Sequence, residues 1–245
     1  MTRFRIRSAA ATNVGSVRTV NEDAILSRDD LGLWAVADGM GGHANGQWAS
    51  ATVVEALAAV SLDEEDPYPN LLGALYAGNG AIVRAGAVSG TSMGTTAVVL
   101  HLGDREVTGL WVGDSRIYRS RDGVLAQLTR DHSMVQELVD RGTISAEEAE
   151  THPMAHVLSR AIGTEESLSH DAFRDEAQVG DIYLLCSDGL TKVISHEAIA
   201  ARLGGSPKRA VDGLIEDTLA AGAPDNVSVI VVSLEQPTIV ALAQS

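Results

Sequence analysis

The sequence reads as an α+β chain in which antiparallel sheets are covered by helices, and three observations carry that reading. Apolar runs of strand length recur along the chain, several of them joined by Asp-Gly or Gly-Asp turns. Longer helical stretches fall between groups of such runs. The strict strand–helix alternation of a parallel sheet is missing. At 245 residues the chain can bury one substantial core, so 1–245 is expected to form one domain.

Arg3 to Ala9 alternates Phe4 and Ile6 with polar residues and predicts a first strand, ending in a polar turn around Asn13 and Gly15. Leu33 to Ala37 is a second apolar run, too short for a helix, that stops at Asp38-Gly39. Asn45 to Val60 and Leu71 to Gly86 read as helices, joined by the acidic, proline-bearing surface segment SLDEEDPYPN. Gly94 to Leu102, Glu106 to Val112, Arg116 to Arg119 and Val124 to Leu128 read as successive strands. Gly103-Asp104 and Asp122-Gly123 are their turns, and a β-meander is expected. His132 to His156 loses strand character and reads as short helices and loops. A strand at Asp181 to Ser187, helices near Ser195 to Leu203 and Pro207 to Ala221, and a last strand at Val227 to Ser233 complete the order. No internal repeat is visible.

The net charge of −15 leaves no basic stripe for nucleic acid, so duplex binding is not expected. Met1 to Thr12 has a basic start but no uninterrupted apolar stretch after it, and no later run approaches bilayer-spanning length. The lone cysteine, Cys186, excludes an internal disulfide and a cysteine-rich zinc site, which fits a reducing, cytoplasmic compartment.

Four Asp-Gly pairs separate by context. Asp122-Gly123 lies between two strands and Asp212-Gly213 inside a helical pattern, so both read as structural. Asp38-Gly39 and Asp188-Gly189 instead follow apolar strands, where a sheet can aim a carboxylate into a cleft. Asp114, after LWVG, and Asp225, before VSVIVV, also sit at strand ends. Each alone reads as a turn or cap residue. Together they supply the all-oxygen set that hard dications such as Mg²⁺ or Mn²⁺ require, enough for a two-metal site that acidifies water for attack at phosphorus.

At this point the chain resembles the type-2C (PPM) metal-dependent serine/threonine protein phosphatases in their compact bacterial form. The matching stretches are RTVNED (Arg18 to Asp23), ADGMGGH (Ala37 to His43), GTTAVV (Gly94 to Val99), VGDSRIY (Val112 to Tyr118), LTRDHS (Leu128 to Ser133), CSDGL (Cys186 to Leu190) and PDNVSVIVV (Pro224 to Val232), in the family's order along nearly the whole chain. The resemblance implies a four-layer αββα sandwich of two antiparallel sheets flanked by helices, with the metals in a cleft at one edge. It implies that Asp38 bridges two tightly bound Mn²⁺ or Mg²⁺ ions, that Gly39 offers its carbonyl to one, and that Asp188 and Asp225 bind the other. Glu22 and Asp23 then act through waters on the metals. Asp114 matches the aspartate of a third, weaker metal site, and 133–159 resembles a flap beside the cleft.

Arg18, isolated, reads as a solvated arginine; its place before NED makes it the candidate phosphate ligand, since a guanidinium grips two phosphoryl oxygens at once. Asn226 is either a turn residue or, by the resemblance, the group that holds Asp225. Met40 stands where many eukaryotic members carry a histidine, so their proposed general acid is missing; His43 is either a possible acid or a loop-packing residue.

The motifs of competing phosphotransfer routes are absent. Cys186 lacks a following C-x5-R pattern, no D-x-D occurs, and neither Lys192 nor Lys208 follows a glycine as in a P-loop. The expected activity is hydrolysis of phosphoserine and phosphothreonine in proteins phosphorylated by serine/threonine kinases, by a monomer independent of membranes. The alternative from another class is a catalytically silent metal- or phosphopeptide-binding module of the same fold, against which the retention of Asp38, Asp188 and Asp225 argues.

Overall fold

The computed structural model describes residues 4–42, 44–62 and 66–237. Two antiparallel sheets lie face to face, each covered on its outer side by helices. One sheet runs in the order β1 (Arg5–Asn13), β11 (Val227–Glu235), β10 (Ile182–Cys186), β7 (Arg116–Arg121), β8 (Val124–Gln127). The other runs β2 (Asp23–Arg28), β3 (Leu33–Met40), β5 (Ala97–Leu102), β6 (Glu106–Val112), β9 (Asp171–Glu176), with the short β4 (Gly94–Thr95) paired to the end of β3. The fold class is therefore α+β, as the four-layer sandwich requires.

The layering follows from side-chain alternation along strands covered on both faces. In β11, Ile230, Val232 and Leu234 point between the sheets, where they meet Trp34 and Val36 of β3 and Val98 and Leu100 of β5. Val227, Val229 and Val231 point the other way, onto α5 (Asp188–Thr191), α6 (His196–Arg202) and α7 (Pro207–Ala220) through Leu190, Ile199 and Leu214. Leu33 and Ala35 of β3 likewise face outward, onto α1 (Ala44–Ala58) and α2 (Tyr68–Ser89) through Val53, Leu57 and Leu75. Three apolar interfaces thus join four layers.

Several sequence expectations change. β1 starts at Arg5 and runs on to Asn13, because all of Arg5–Asn13 pairs with β11. β3 does not stop at Asp38-Gly39 but continues to Met40, held by β4 through Gly39↔Thr95 and Met40↔Gly94. The expected meander is two separate hairpins, β5–β6 in one sheet and β7–β8 in the other. The chain changes sheets at Gly113, whose φ of 104° a side chain rarely adopts and whose absent Cβ would strike Thr96. α2, at 22 residues, is long and apolar enough to cross a membrane by length and composition, contrary to the expectation that no run approaches that length. It packs Leu71, Leu75 and Ile82 fully into the core.

The described part of the segment 133–159 holds α3 (Met134–Asp140) and α4 (Ala146–Glu150). Its ends are tied together by Met134 N–H donating to the Val157 carbonyl at 2.9 Å and by a bridge between Ser133 and Leu158.

Candidate metal and phosphate site

The antiparallel registers bring the candidate carboxylates to one edge of the sandwich. β2 pairs with β3 so that Asp23 lies opposite Asp38. β10 ends beside the start of β11, where Ser187 N–H donates to the Ser228 carbonyl at 3.0 Å, so Asp188 and Asp225 flank neighbouring strand ends. Asp114 arrives on the crossing between the sheets, just beyond β6.

The backbone around Asp38 is fixed on both sides. Its N–H donates to Thr96 Oγ1 at 3.1 Å, and its carbonyl accepts from Thr95 Oγ1 and Thr96 N–H, each at 2.9 Å. Gly39 donates to the Glu22 carbonyl at 3.1 Å, and a Cβ there would lie 2.1 Å from the Gly46 carbonyl oxygen. Only glycine lets the start of α1 approach β3 so closely.

Asp23 joins the two sheets. Its Oδ2 accepts from Ser187 Oγ at 2.9 Å and Ser228 Oγ at 2.6 Å, while its Oδ1 is buried without a hydrogen-bond partner. Burial pushes its pKa up to about 7 against the pull of the two serines, with the charges of Asp188 and Asp225 adding to the rise. Asp114 is also raised to about 7, by burial first and then by Asp188. Asp38 lies well above the carboxylate range, through burial and then the combined repulsion of Asp23, Asp188, Asp114 and Asp225. Five carboxylates thus crowd one another with too little positive charge among them.

Two of them lean on resident cations. Arg18 Nη2 donates to Asp225 Oδ2 at 2.9 Å, and Lys192 Nζ contacts Asp188 Oδ2. Asp188 Oδ1 is buried and unpartnered. Among the described residues no three His, Cys, Asp or Glu side chains are drawn into a ready-made metal cage. An all-oxygen donor set, mutual repulsion and two orphaned buried oxygens are nevertheless what a hard dication answers, so the residues fit one.

Asn226 meets Asp225 through its backbone alone, and its side chain binds the neighbouring loop. Its backbone N–H reaches Asp225 Oδ1 at 2.9 Å, while its amide accepts from Glu22 N–H at 2.8 Å and donates to the carbonyls of Val14 at 2.9 Å and Val20 at 3.0 Å. The loop carrying Arg18 and Glu22 is thereby stapled to the start of β11. His43 lies outside the described residues.

Sequence reasoning did not single out Ser187, Ser228 or His132. A serine in each of two otherwise apolar runs, YLLCS and VSVIVV, was the available signal. His132 stacks on Trp111 and accepts from Gly113 N–H at 3.1 Å, bracing the sheet crossing beside Asp114. Cys186 faces the helix-side core, with burial pushing its thiol up to about 12. Native protein should therefore resist iodoacetamide, with the thiol alkylated only in urea, as intact-mass measurements will read.

Residues 15–226 match the family model described as protein phosphatase 2C. The chain is 41% identical over 233 residues to the serine/threonine protein phosphatase PstP of Mycobacterium tuberculosis, covering 92% of this chain and 44% of that one. It therefore spans less than half of the mycobacterial protein. It is 35% identical over 236 residues to the serine/threonine phosphatase stp of Listeria monocytogenes, covering 90% of this chain and 93% of that one. The solved catalytic domain of PstP in complex with two manganese ions superposes with a TM-score of 0.86 at 39% identity, covering 94% of this chain and 98% of that one. The fold and the spans matched define a phosphatase-type sandwich. The chain belongs to the protein phosphatase 2C family.

Proposed function

We propose that the chain is a metal-dependent protein phosphatase that hydrolyses phosphoserine and phosphothreonine in proteins. The observation that carries this reading is the convergence of Asp23, Asp38, Asp114, Asp188 and Asp225 from both sheets at one edge, crowded, undercompensated, and next to the exposed guanidinium of Arg18. Asp38, the Gly39 carbonyl, Asp188 and Asp225 would hold two Mn²⁺ or Mg²⁺ ions, a reading supported by the two manganese ions of the PstP catalytic domain. When bound, such ions acidify water and neutralise phosphoryl oxygens. Asp114 faces the same edge and marks a further demand for positive charge, the place for a third, weaker ion.

The chain's own residues supply orientation. Arg18, 53% exposed at its side chain, offers its fork to the phosphoryl group and is aimed by Asp225 and the Asn226 staple. Asp23, gripped by two serines, fixes the start of β2 opposite Asp38, and Glu22 sits beside it on the same loop. A cleft of about 860 Å³ opens between Asp114, Asp188 and the 133–159 segment and gives room for a phosphorylated loop. On this reading 1–245 works as one catalytic unit, with 133–159 as its flap. The partners are phosphorylated proteins made by serine/threonine kinases, met by a monomer in the cytoplasm, where the lone thiol of Cys186 stays reduced.

Arg18→Ala is expected to raise KM for a phosphothreonine peptide roughly tenfold with a smaller loss of kcat, and Arg18→Lys to recover only part of it. Steady-state kinetics on both variants reads this, and an unchanged kcat/KM removes Arg18 from the phosphate site. A phosphothreonine peptide incubated with the Mn²⁺-loaded chain and followed by mass spectrometry separates the two functional readings. Accumulating dephosphorylated peptide identifies the hydrolase; intact peptide in a stable complex identifies the silent binding module.

A further inference from the structure

Asp188 opens α5 and Lys192 caps its end, a four-residue spacing that puts both side chains on one face of the turn. The Lys192 ammonium contacts Asp188 Oδ2, while Oδ1 of the same carboxylate stays buried with no partner. One carboxylate thus has one oxygen on a tethered cation and one buried without a hydrogen-bond partner. Lys192 also lines the cleft beside 133–159 together with Asp114 and Asp188. Its positive charge acts on Asp114 as well as on Asp188 and Asp38. Among the anions acting on Asp114 are Asp188, Asp38 and Asp131, and Asp131 is already held by Arg116 at 2.7 Å.

Resting on the metal reading above, we propose that Lys192 is the resident cation on the Asp114 side of this site, a side-chain ammonium that weakens the binding of a third divalent ion there. A dication arriving at Asp114 meets the repulsion of an ammonium that is anchored by α5 and cannot diffuse away. The same contact occupies Asp188 Oδ2 and leaves Oδ1 without a hydrogen-bond partner. The chain therefore carries a fixed charge near Asp114 that competes with any exchangeable ion there.

The test counts bound Mn²⁺ per chain by equilibrium dialysis and elemental analysis, from micromolar to millimolar metal. It compares metal-stripped wild type, Lys192→Met, Lys192→Gln, Lys192→Arg and the double variant Lys192→Met with Asp114→Asn. Wild type and Lys192→Arg are expected to hold two ions tightly and a third only weakly. Lys192→Met and Lys192→Gln are expected to take up a third at least about tenfold more tightly than wild type does. Adding Asp114→Asn is expected to remove that third ion. Two neutral variants keep the comparison available if one fails to fold, as melting curves will show. Equal uptake by wild type and a folded neutral variant overturns the role of Lys192 and leaves the two-ion reading standing. A wild type that binds no Mn²⁺ overturns both.

Discussion

Asp38→Asn is expected to lower turnover on the order of a thousandfold or more while leaving the fold intact. The frame that holds this residue is backbone and threonine, with Thr95 and Thr96 clasping its N–H and carbonyl, and asparagine keeps all of those bonds. What it removes is the charge at the centre of the cluster, the carboxylate repelled by Asp23, Asp188, Asp114 and Asp225. In metal-free protein that loss relieves repulsion, so the melting midpoint should hold or rise. With Mn²⁺ present, the stabilisation that wild type gains by binding ions should disappear. Rates at saturating Mn²⁺ and paired melting curves with and without the metal read both effects. A folded variant with the wild-type rate removes Asp38 from the metal set.

Asn226→Ala is the second large effect, and it acts on the loop. The wild-type amide makes three hydrogen bonds to backbone groups at Val14, Val20 and Glu22, and Asn226 is only 5% exposed. Alanine leaves those groups without their partner and frees the segment that carries Arg18. The expected cost is about 2–4 kcal/mol of stability, read by urea unfolding. Turnover should fall with a raised KM, because Arg18 loses its aim. A loss of stability with an unchanged KM confines the residue to structure.

The sequence disclosed the buried strands and helices better than the edges. β11, with every residue from Val227 to Leu234 buried, is apolar enough to read on its own, and α1 and α7 carry helical periodicity. β9 was missed because it is an edge strand, DAFRDE, whose alternate residues face solvent and whose polar composition hides its pairing with β6. β2 was missed because Asp23 begins it and Ser27-Arg28 ends it, leaving only Ala24, Ile25 and Leu26 as an apolar signal. The meander failed at Gly113 because sheet choice is decided by what packs across the sandwich, which local pattern does not encode. At the site, aspartates at strand ends were legible one by one and the ordered motifs joined them. The serines under Asp23 and the staple made by Asn226 are contacts across many residues, visible only once the strands are in register, whereas the pairing of Lys192 with Asp188 spans one helical turn.

The central claim is that this chain hydrolyses phosphoprotein substrates only with dications held by its aspartate cluster. Its most direct test is release of inorganic phosphate from a phosphothreonine peptide by chelator-treated, metal-stripped protein, before and after Mn²⁺ is returned. The account predicts no release beyond background without metal and full recovery with Mn²⁺ in wild type, but no recovery in Asp38→Asn. Equal release with chelator present, or full recovery in Asp38→Asn, would contradict it.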